Sequence, residues 1–519
     1  MSSSIKNIII VGGGSAGWIT AGVIAAEHHS NSESGVQITL IESPDVGPIG
    51  VGEGTWPTMR ETLDKIGVRE TDLFKHCDAS FKQGAKFAQW VTGEKDDFYY
   101  HPLVIPTGYT KTDLVYTWQK YRDKVSFADA VSFQGHLCEK HLAPKQITTP
   151  EFAAVANYAY HLNAPKLGMF LRDHCIEKLG VKHILDHVTE VNSLPCGDIK
   201  SVSTKNSGEI SGDLFIDCTG FSSLLLGKHY QIPFISKKHI LFNDSALATH
   251  VPYLDENDPI TSHTVSTAQS AGWIWDIALP VRRGVGYAYS SDYISQQDAE
   301  TELRAYIAES IGAEKAAELP IKKIPINPGH REKFWHRNCV AIGMAAGFLE
   351  PLEASALVLI ELAASKISKE LPANRDVMDI TAKRYNQQFL YRWDRIIDFL
   401  KLHYILTKRT DSDYWIDNCD PKTIPESLQE MLKLWKYQPP TIADFTQNDE
   451  VFPSASWQYI LYGMGFHTEP RETTRSYMDD KVAEGFFDEN LAITNQYIQA
   501  LPTNRDLINK ILQYGMQKV

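Results

Sequence analysis

A glycine-rich turn between an apolar strand and a helix constrains the fold of this chain more than any other feature. The apolar run 8–11 is followed at once by residues 12–17, GGGSAG, which fit the pattern G-x-G-x-x-G. Helix-forming residues continue over 21–27, and a second apolar run over 36–42 ends at Glu42. A strand, a helix and a strand in this order predict a mostly parallel α/β sheet of the Rossmann type.

Each glycine of the G-x-G-x-x-G pattern, and the acid that ends the second strand, has a physical role in binding a dinucleotide. Gly12 permits the tight turn, and Gly14 lets the backbone approach a pyrophosphate. Gly17 lets the helix pack closely on the strand, and Glu42 can bind ribose hydroxyls. The residues that we predict to bind a dinucleotide here are Gly12, Gly14, Ser15, Ala16, Gly17 and Glu42. This turn alone leaves FAD and NAD both open.

Two later apolar runs indicate that the nucleotide-binding part is discontinuous. Residues 214–217 and 339–342 are short apolar runs, and each is closely followed by a glycine. We expect both to be central strands that return to the same sheet. Such glycine turns fit a large flavin nucleotide lying across a sheet better than a compact hydride-transfer domain, so we favour FAD.

Charge and cysteine content exclude several classes of function. The chain has 519 residues, with 64 acidic and 51 basic residues and a net charge of −13, which disfavours nucleic acid as a partner. Its seven cysteines lack CxxC spacing, so we predict no metal site and a reducing, cytoplasmic location. No apolar run reaches the roughly 18–20 residues needed to span a bilayer, so no membrane is expected.

Further motifs follow the glycine turn in a fixed order along the chain. They are Gly50–Thr55 (GVGEGT), Ser80–Lys82 (SFK), Asp213–Phe221 (DLFIDCTGF), Gly272–Ile277 (GWIWDI), Gly347–Glu353 (GFLEPLE), His403-Tyr404 and Trp457–Gly465 (WQYILYGMG). Together they resemble the flavin-dependent halogenases of the tryptophan and indole halogenase family. The resemblance implies a flavin monooxygenase-like Rossmann fold with a mainly helical C-terminal substrate region. It also implies an FADH2-dependent enzyme that makes hypohalous acid from O2 and chloride or bromide and halogenates an indole-type aromatic.

The same resemblance assigns the catalytic, halide and flavin residues. Lys82 matches the lysine that captures hypohalous acid, and Glu353 matches the second catalytic residue. Lys86 is the nearest competing lysine, and we expect it to be an ordinary surface residue. Ser355 and Ala356 match the halide-binding positions just past the glutamate. The positions that match flavin contacts of the family are Val51, Gly52, Gly343, Met344 and Leu357.

The resemblance also implies roles for two tryptophans, which would separate the substrate from the flavin, and for a histidine that would line the substrate site. Trp273, Trp275 and Ile277 occupy alternate positions, so on a strand they point to one face. In the family this motif keeps the organic substrate away from the flavin. The family's proline normally follows the isoleucine, whereas here Ala278 and Leu279 intervene before Pro280, which alters the exit of the strand. His101 matches a substrate-lining position.

The resemblance also sets expectations for domains and partners. We predict a discontinuous FAD-binding and halide module over residues 1–375, with an insertion at about 91–150. A helical substrate-binding region is predicted over 376–519, and a helical pattern is also present over 50–90. The implied partners are a separate NADH-dependent flavin reductase and a small aromatic substrate, and a homodimer is left open.

Two other functions remain as alternatives at this level. A flavin-dependent aromatic monooxygenase would use the same dinucleotide turn but would place its substrate at the flavin, which Trp273 and Trp275 argue against. A non-catalytic flavin-binding protein would not need Lys82 and Glu353 together. The sequence does not predict the native substrate, the ring position or the preference between chloride and bromide.

Overall fold

The chain forms two units, each assembled from three separate stretches of sequence. The computed structural model describes residues 4–47, 53–447, 450–470 and 479–518. The first unit comprises Met1–Ala79, Leu162–Lys237 and Asn327–Trp393, and the second comprises Ser80–His161, Lys238–Ile326 and Asp394–Val519. The predicted boundary after residue 375 does not coincide with these units. As a division between a cofactor module and a substrate region it stays a prediction.

The central sheet of the first unit is almost entirely parallel. Its described strands, in spatial order, are Trp335–His336, Cys339–Ala341, Leu214–Asp217, Asn7–Val11, Gln37–Glu42 and Lys182–Leu185. Only Trp335–His336 pairs antiparallel with its neighbour. Ile8 and Ile10 are fully buried, as expected for a strand covered on both faces. The predicted return of the two later apolar runs to the first sheet is confirmed.

Helices and small sheets complete the first unit. The helices are Ser15–Glu27, Thr58–Lys65, Glu70–His76, Ala164–Leu179, Ser355–Lys369 and the first part of Arg375–Ile405, with short turns at Gly220–Ser222, Leu224–His229 and Gly343–Ala345. One small sheet contains Val188–Ser193, Ile199–Thr204 and Glu209–Ser211, and another contains Phe234–Ser236, Gly329–Arg331 and Gly347–Phe348; Glu53–Gly54 is a further short strand. The helix that follows the glycine turn packs on Ala164–Leu179 and Ser355–Lys369.

A larger and mainly antiparallel sheet organises the second unit. Its described strands, in spatial order, are Lys322–Pro325, Ser245–Pro252, Arg282–Tyr289, Gly272–Ala278, Thr264–Gln269, Gly84–Ala88 and Phe98–Pro102. Ile274 and Tyr287 on one face of the sheet pack with Leu303 of the helix Gln296–Ile311 in a buried apolar cluster. A separate strand pair joins Ser80–Lys82 to Ala159–Leu162.

The helical pattern predicted over residues 50–90 is wrong in its last part. Helices end at His76, and Ser80–Lys82 and Gly84–Ala88 are strands. Pairing with Thr264–Gln269 and Phe98–Pro102 buries Phe87 completely, so sheet packing overrides the local pattern.

The remaining residues of the second unit are mostly helical. The stretch 91–150 contains the short helices Val115–Trp118, Phe127–Val131 and Gln134–Glu139. Beyond residue 393 the elements are the end of Arg375–Ile405, Asp413–Asn418, Glu426–Trp435, Ser454–Gly463, Asp480–Ala500 and Asn504–Tyr514, with Ala313–Glu318 earlier and short turns at Pro421–Thr423 and Ile442–Asp444. The helical character predicted for the C-terminal region is confirmed. Among the described residues, no helix combines the length and apolar composition that crossing a membrane requires.

A buried carboxyl group joins two helices of the first unit. Glu361 lies on Ser355–Lys369 and is only 3% exposed. Thr62 Oγ1, on the helix Thr58–Lys65, donates to Glu361 Oε2 at 2.6 Å, and Thr58 Oγ1 lies 3.5 Å from Oε1. Burial raises the pKa of Glu361 from 4.5 to about 8, because the charged form loses its hydration.

This raised pKa predicts a pH-dependent contribution to stability. The folded carboxyl keeps its proton up to about pH 8, whereas the unfolded one releases it near pH 4.5. The contribution is therefore fully present below pH 4.5 and is lost as the pH rises through about 8. We expect Glu361→Gln to match the wild type at low pH and to exceed it at pH 9 by an unfolding free energy on the order of a few kcal/mol. Chemical denaturation at both pH values measures this, and parallel pH profiles for the two proteins would contradict it.

Candidate active site

Two positions of the glycine turn are crowded by backbone atoms, and a third is open. Gly12 has φ +115°, and a Cβ there would overlap the carbonyl oxygen of Cys218 on the neighbouring strand. A Cβ on Gly17 would overlap the carbonyl oxygen of Gly12. A Cβ on Gly14 would meet no atom within 4 Å. The turn is therefore closed against the sheet and open on the side where a pyrophosphate would approach.

The acid at the end of the second strand lies directly beside this turn. A Cβ on Gly13 would overlap the carboxylate of Glu42, which places that carboxylate against the turn. Glu42 Oε2 is 2.9 Å from Nε2 of His183, on the adjacent strand. Sequence analysis missed His183, because its partner lies far away along the chain. Val51 and Gly52, predicted to contact the flavin, lie outside the described residues.

A cavity in the first unit brings together four of the predicted flavin and halide residues. It encloses about 560 Å³ of empty space, part of it open to solvent, and Gly343, Met344, Ser355 and Ala356 line it. Aromatic side chains supply much of the remaining wall, among them Phe348, Tyr385, Phe389 and Trp393. Leu357 is buried but is not part of this lining.

Ser355 and Ala356, which match the halide-binding positions of the family, are the first two residues of the helix Ser355–Lys369. The residue before the helix is Ala354, whose φ of +54° is left-handed and whose methyl side chain cannot cap the helix start. The first amides of a helix lack intrahelical acceptors and carry partial positive charge, so they suit an anion. Ser355 is buried, and Ala356 is half-buried.

Glu353 lies two residues before the first residue of this helix, Ser355. Its side chain is buried, and its backbone carbonyl accepts a hydrogen bond from the indole Nε1 of Trp56 at 2.8 Å. Glu350 is buried as well, so burial does not distinguish the two acids. Sequence analysis missed Trp56, although it directly follows the Gly50–Thr55 motif.

Burial separates the two candidate lysines of the second unit. Lys82 is only 5% exposed and lies opposite Ala159 in an antiparallel strand pair. Lys86 is partly exposed, and its Nζ forms an ion pair with Glu139 Oε1 at 2.5 Å. Lys86 is thus ion-paired and partly exposed, and its lack of a catalytic role stays a prediction. Lys82 carries its charge into the interior, which is costly unless the charge has a use or a partner.

His161 is a buried titratable group beside Lys82 that sequence analysis did not identify. His161 lies opposite Ser80 in the same strand pair, so it shares a face with Lys82, diagonally across the pair. His161 Nε2 is 2.8 Å from Thr264 Oγ1. Burial and the charge of Lys82 hold the pKa of His161 well below its usual value. The imidazole is thus neutral at physiological pH.

The two predicted barrier tryptophans lie side by side on one strand. Trp273 and Trp275 are buried, with ring centroids 6.1 Å apart and planes at 60°. Ile274 points to the opposite face and joins the apolar cluster beneath the sheet. Gly286 pairs directly with Trp275, and a Cβ at residue 286 would overlap the indole. This glycine therefore leaves the room that the ring occupies.

A side-chain hydrogen bond ties the Lys82 strand to the end of the tryptophan strand. Ser80 Oγ donates to the carbonyl oxygen of Ala278 at 2.6 Å. Beyond Ala278 the chain turns tightly, with the amide of Leu279 donating to the carbonyl of Arg282 at 2.9 Å. Ala278 is thus the last residue of the strand, and Leu279 leads into the turn that contains Pro280.

His101 is buried among aromatic rings of the second unit. Its Nε2 is 2.9 Å from Ser456 Oγ, on the helix that carries the predicted closing motif. Its ring packs against Phe399 and Tyr459 at centroid distances of 5.7 and 6.3 Å. Aromatic rings of this kind can pack against the ring of an indole. Its contact with a substrate stays a prediction.

Comparison with known proteins decides the family. A family model described as tryptophan halogenase matches residues 7–480. This chain belongs to the tryptophan halogenase family. The resemblance, the fold class and the assignment as a flavin-dependent halogenase are thereby confirmed.

Individual relatives match the halogenase over nearly its whole length. The crystal structure of a tryptophan halogenase from Shewanella frigidimarina shares 50% identity and a TM-score of 0.96, covering 99% of each chain. The 7-chloro-L-tryptophan 6-halogenase of Kutzneria sp. is 33% identical over 505 residues, 92% of this chain and 94% of its own. The tryptophan 6-halogenase of Streptomyces toxytricini is 34% identical over 479 residues, 88% and 89% of the two chains.

The glycine turn predicts a contrast between two matched substitutions. Gly14→Ala should leave the melting temperature of the cofactor-free protein unchanged, because its Cβ meets no atom within 4 Å. It should nevertheless weaken FAD binding about tenfold or more, because the methyl group lies where the pyrophosphate approaches. Gly17→Ala should instead lower the melting temperature, because backbone atoms must move. Differential scanning fluorimetry and a flavin fluorescence titration measure the two effects, and equal FAD affinity for Gly14→Ala and wild type would contradict the assignment.

Proposed function

We propose that this halogenase uses FADH2, O2 and chloride or bromide to make hypohalous acid and that it halogenates an indole-type aromatic. The observation that carries this proposal is the Ser80–Ala278 hydrogen bond, which couples the strand of a buried lysine to the strand of two buried tryptophans. With the two strands joined in this way, the lysine would hold an oxidant near a rigid aromatic wall, so that it does not diffuse away.

The residues of the first unit fit a flavin nucleotide. The open side of Gly14 and the first amides of the helix Ser15–Glu27 would hold the pyrophosphate, and Glu42 would bind the ribose. Gly343 and Met344 would contact the ring system through the cavity that they line. Bound as FADH2, the cofactor would supply two electrons to O2, and the halide would give up two more as it becomes hypohalous acid, with release of water.

The start of the helix Ser355–Lys369 would hold the halide. The amide groups of Ser355 and Ala356 point their partial positive charge at an anion, and the Ser355 hydroxyl can donate a further hydrogen bond. Both residues line the same cavity as Gly343 and Met344. Halide and flavin would therefore meet within one cavity of the first unit.

Lys82 would hold the oxidant for attack by the substrate. As an ammonium it donates a hydrogen bond to hypohalous acid, and as a neutral amine it can exchange one N–H proton for halogen, with release of water. Because His161 beside it is uncharged, Lys82 is not opposed by a second positive charge from this residue. Its burial limits reaction of the oxidant with bulk water.

Glu353 would complete the aromatic substitution. Addition of an electrophilic halogen to an indole ring produces a cation that must lose a proton to regain aromaticity. A carboxylate is a suitable acceptor for that proton. Glu353 is buried, so its negative charge would also stabilise the cation more strongly than it could in water.

The substrate class rests on the aromatic surroundings of His101 and on the relatives. The relatives from Kutzneria sp. and Streptomyces toxytricini are described as acting on 7-chloro-L-tryptophan and tryptophan. We propose an indole ring as the common element and leave free tryptophan as one member of the class. A separate NADH-dependent flavin reductase would supply FADH2 in the cytoplasm, where free cysteines persist. A homodimer is compatible with this scheme.

A direct assay separates this function from its alternatives. The full-length protein is supplied with FAD, a flavin reductase, NADH, oxygen and either chloride or bromide, together with indole or tryptophan. Mass spectrometry should reveal the isotope pattern of a halogenated ring. Hydroxylated product without halogen would favour the aromatic monooxygenase, and flavin binding without any product would favour the non-catalytic protein.

The two lysines of the second unit provide a matched test of the site. We expect Lys82→Ala to abolish halogenation while FAD affinity stays within about twofold of wild type, because the lysine lies in the other unit from the dinucleotide turn. Lys86→Ala should retain activity, because a partly exposed ion pair contributes only about 0–1 kcal/mol. Product formation by Lys82→Ala under the same conditions would overturn the assignment.

A further inference from the structure

The start of the halide-binding helix adopts a conformation that the sequence does not favour. Ala354 has φ +54°, in the left-handed region that residues with a Cβ rarely occupy. Neighbouring contacts must therefore hold it. One such contact is local, from the amide of Ala354 to the carbonyl of Pro351 at 3.0 Å. A second comes from a distant part of the chain.

Trp56 supplies the distant contact. Its indole Nε1 donates to the carbonyl oxygen of Glu353 at 2.8 Å, so it holds the peptide unit that joins Glu353 to Ala354. Rotation of that peptide unit would change the direction of the Glu353 side chain on one side and of the first helix amides on the other. The hydrogen bond therefore acts at the junction between the proposed acid and the proposed halide site.

The segment that carries Trp56 is itself fixed on the same helix. Only Pro57 separates Trp56 from the helix Thr58–Lys65. The hydrogen bond from Thr62 to Glu361, 2.6 Å long, joins that helix to Ser355–Lys369 well beyond its first turn. The segment from Trp56 to Thr62 thus makes one hydrogen bond to Glu361 within the halide-binding helix and one to Glu353 just before the helix begins. These two hydrogen bonds hold the indole in place against Glu353.

We propose that Trp56 is a positioning residue that, through the Glu353 carbonyl, orients the Glu353 side chain and the amides of Ser355 and Ala356 for halide. This inference rests on the proposed function for its halide but goes beyond it, since Trp56 is not among the residues proposed to bind the flavin, the halide or the oxidant. The residue acts only through the peptide unit that it holds.

Trp56→Phe tests the proposal, because it removes the N–H donor and keeps an aromatic ring. Loss of one hydrogen bond of about 0.5–1.5 kcal/mol should raise the KM for bromide roughly 3- to 10-fold. FAD affinity should stay within about twofold, because the dinucleotide turn is untouched, whereas kcat should fall together with the rise in KM, because the same peptide unit orients Glu353. In the cofactor-free protein, hydrogen exchange of the peptide covering residues 352–358 should become faster.

Trp335→Phe is a closely matched control within the same unit. The indole Nε1 of Trp335 also donates to a backbone carbonyl, that of Arg337, at 2.9 Å. Arg337 is likewise a left-handed residue, with φ +52°. The two substitutions should lower the melting temperature similarly, but only Trp56→Phe should change bromide KM and exchange over 352–358.

The outcomes separate this inference from the function on which it rests. Unchanged bromide KM and unchanged exchange in Trp56→Phe, or equal changes in both variants, would overturn the positioning role. If wild-type protein forms no halogenated product while the exchange difference is present, the proposed function fails and the restraint of this segment by Trp56 stands.

Discussion

Close approach of backbone to backbone is the constraint on which the first unit depends. Neither Gly12 nor Gly17 can carry a side chain, because the neighbouring strand and the turn itself occupy the space. This approach allows the helix Ser15–Glu27 to start directly at the end of its strand. The adjacent parallel strands then place Glu42, the Cys218 turn and Gly343 at one edge of the sheet. A parallel sheet binds nucleotides at that edge, so the cofactor residues follow from strand order.

Much of this unit could be predicted from the sequence, because its signals are local. The glycine turn, the acid at the end of the second strand and the two returning strands each depend on a few consecutive residues. The strands Ser80–Lys82 and Gly84–Ala88 were not predictable in this way. Their apolar pattern is short, and their pairing partners lie far along the chain.

The candidate site shows the same division between local motifs and distant partners. Motifs identified Lys82, Glu353, Trp273 and Trp275, but they did not identify what holds those residues in place. His183 beside Glu42 and Trp56 on the Glu353 carbonyl pair with residues that no spacing rule connects to them. A single sequence contains no record of such pairings, nor does it show that Lys82 is buried whereas Lys86 is partly exposed and ion-paired.

Both units are built from three stretches of chain that alternate along the sequence, and this has a consequence for biosynthesis. The central strand Asn7–Val11 cannot pair with Leu214–Asp217 until that segment has been synthesised, and Leu214–Asp217 in turn pairs with the later strand Cys339–Ala341. As the chain leaves the ribosome, its earliest apolar strand lacks its second neighbour until about two-fifths of the protein has been translated, and Leu214–Asp217 lacks its own until about two-thirds. Newly made polypeptide is therefore open to aggregation for longer than a chain of sequential domains would be, and expression at low temperature or with a chaperone addresses that interval.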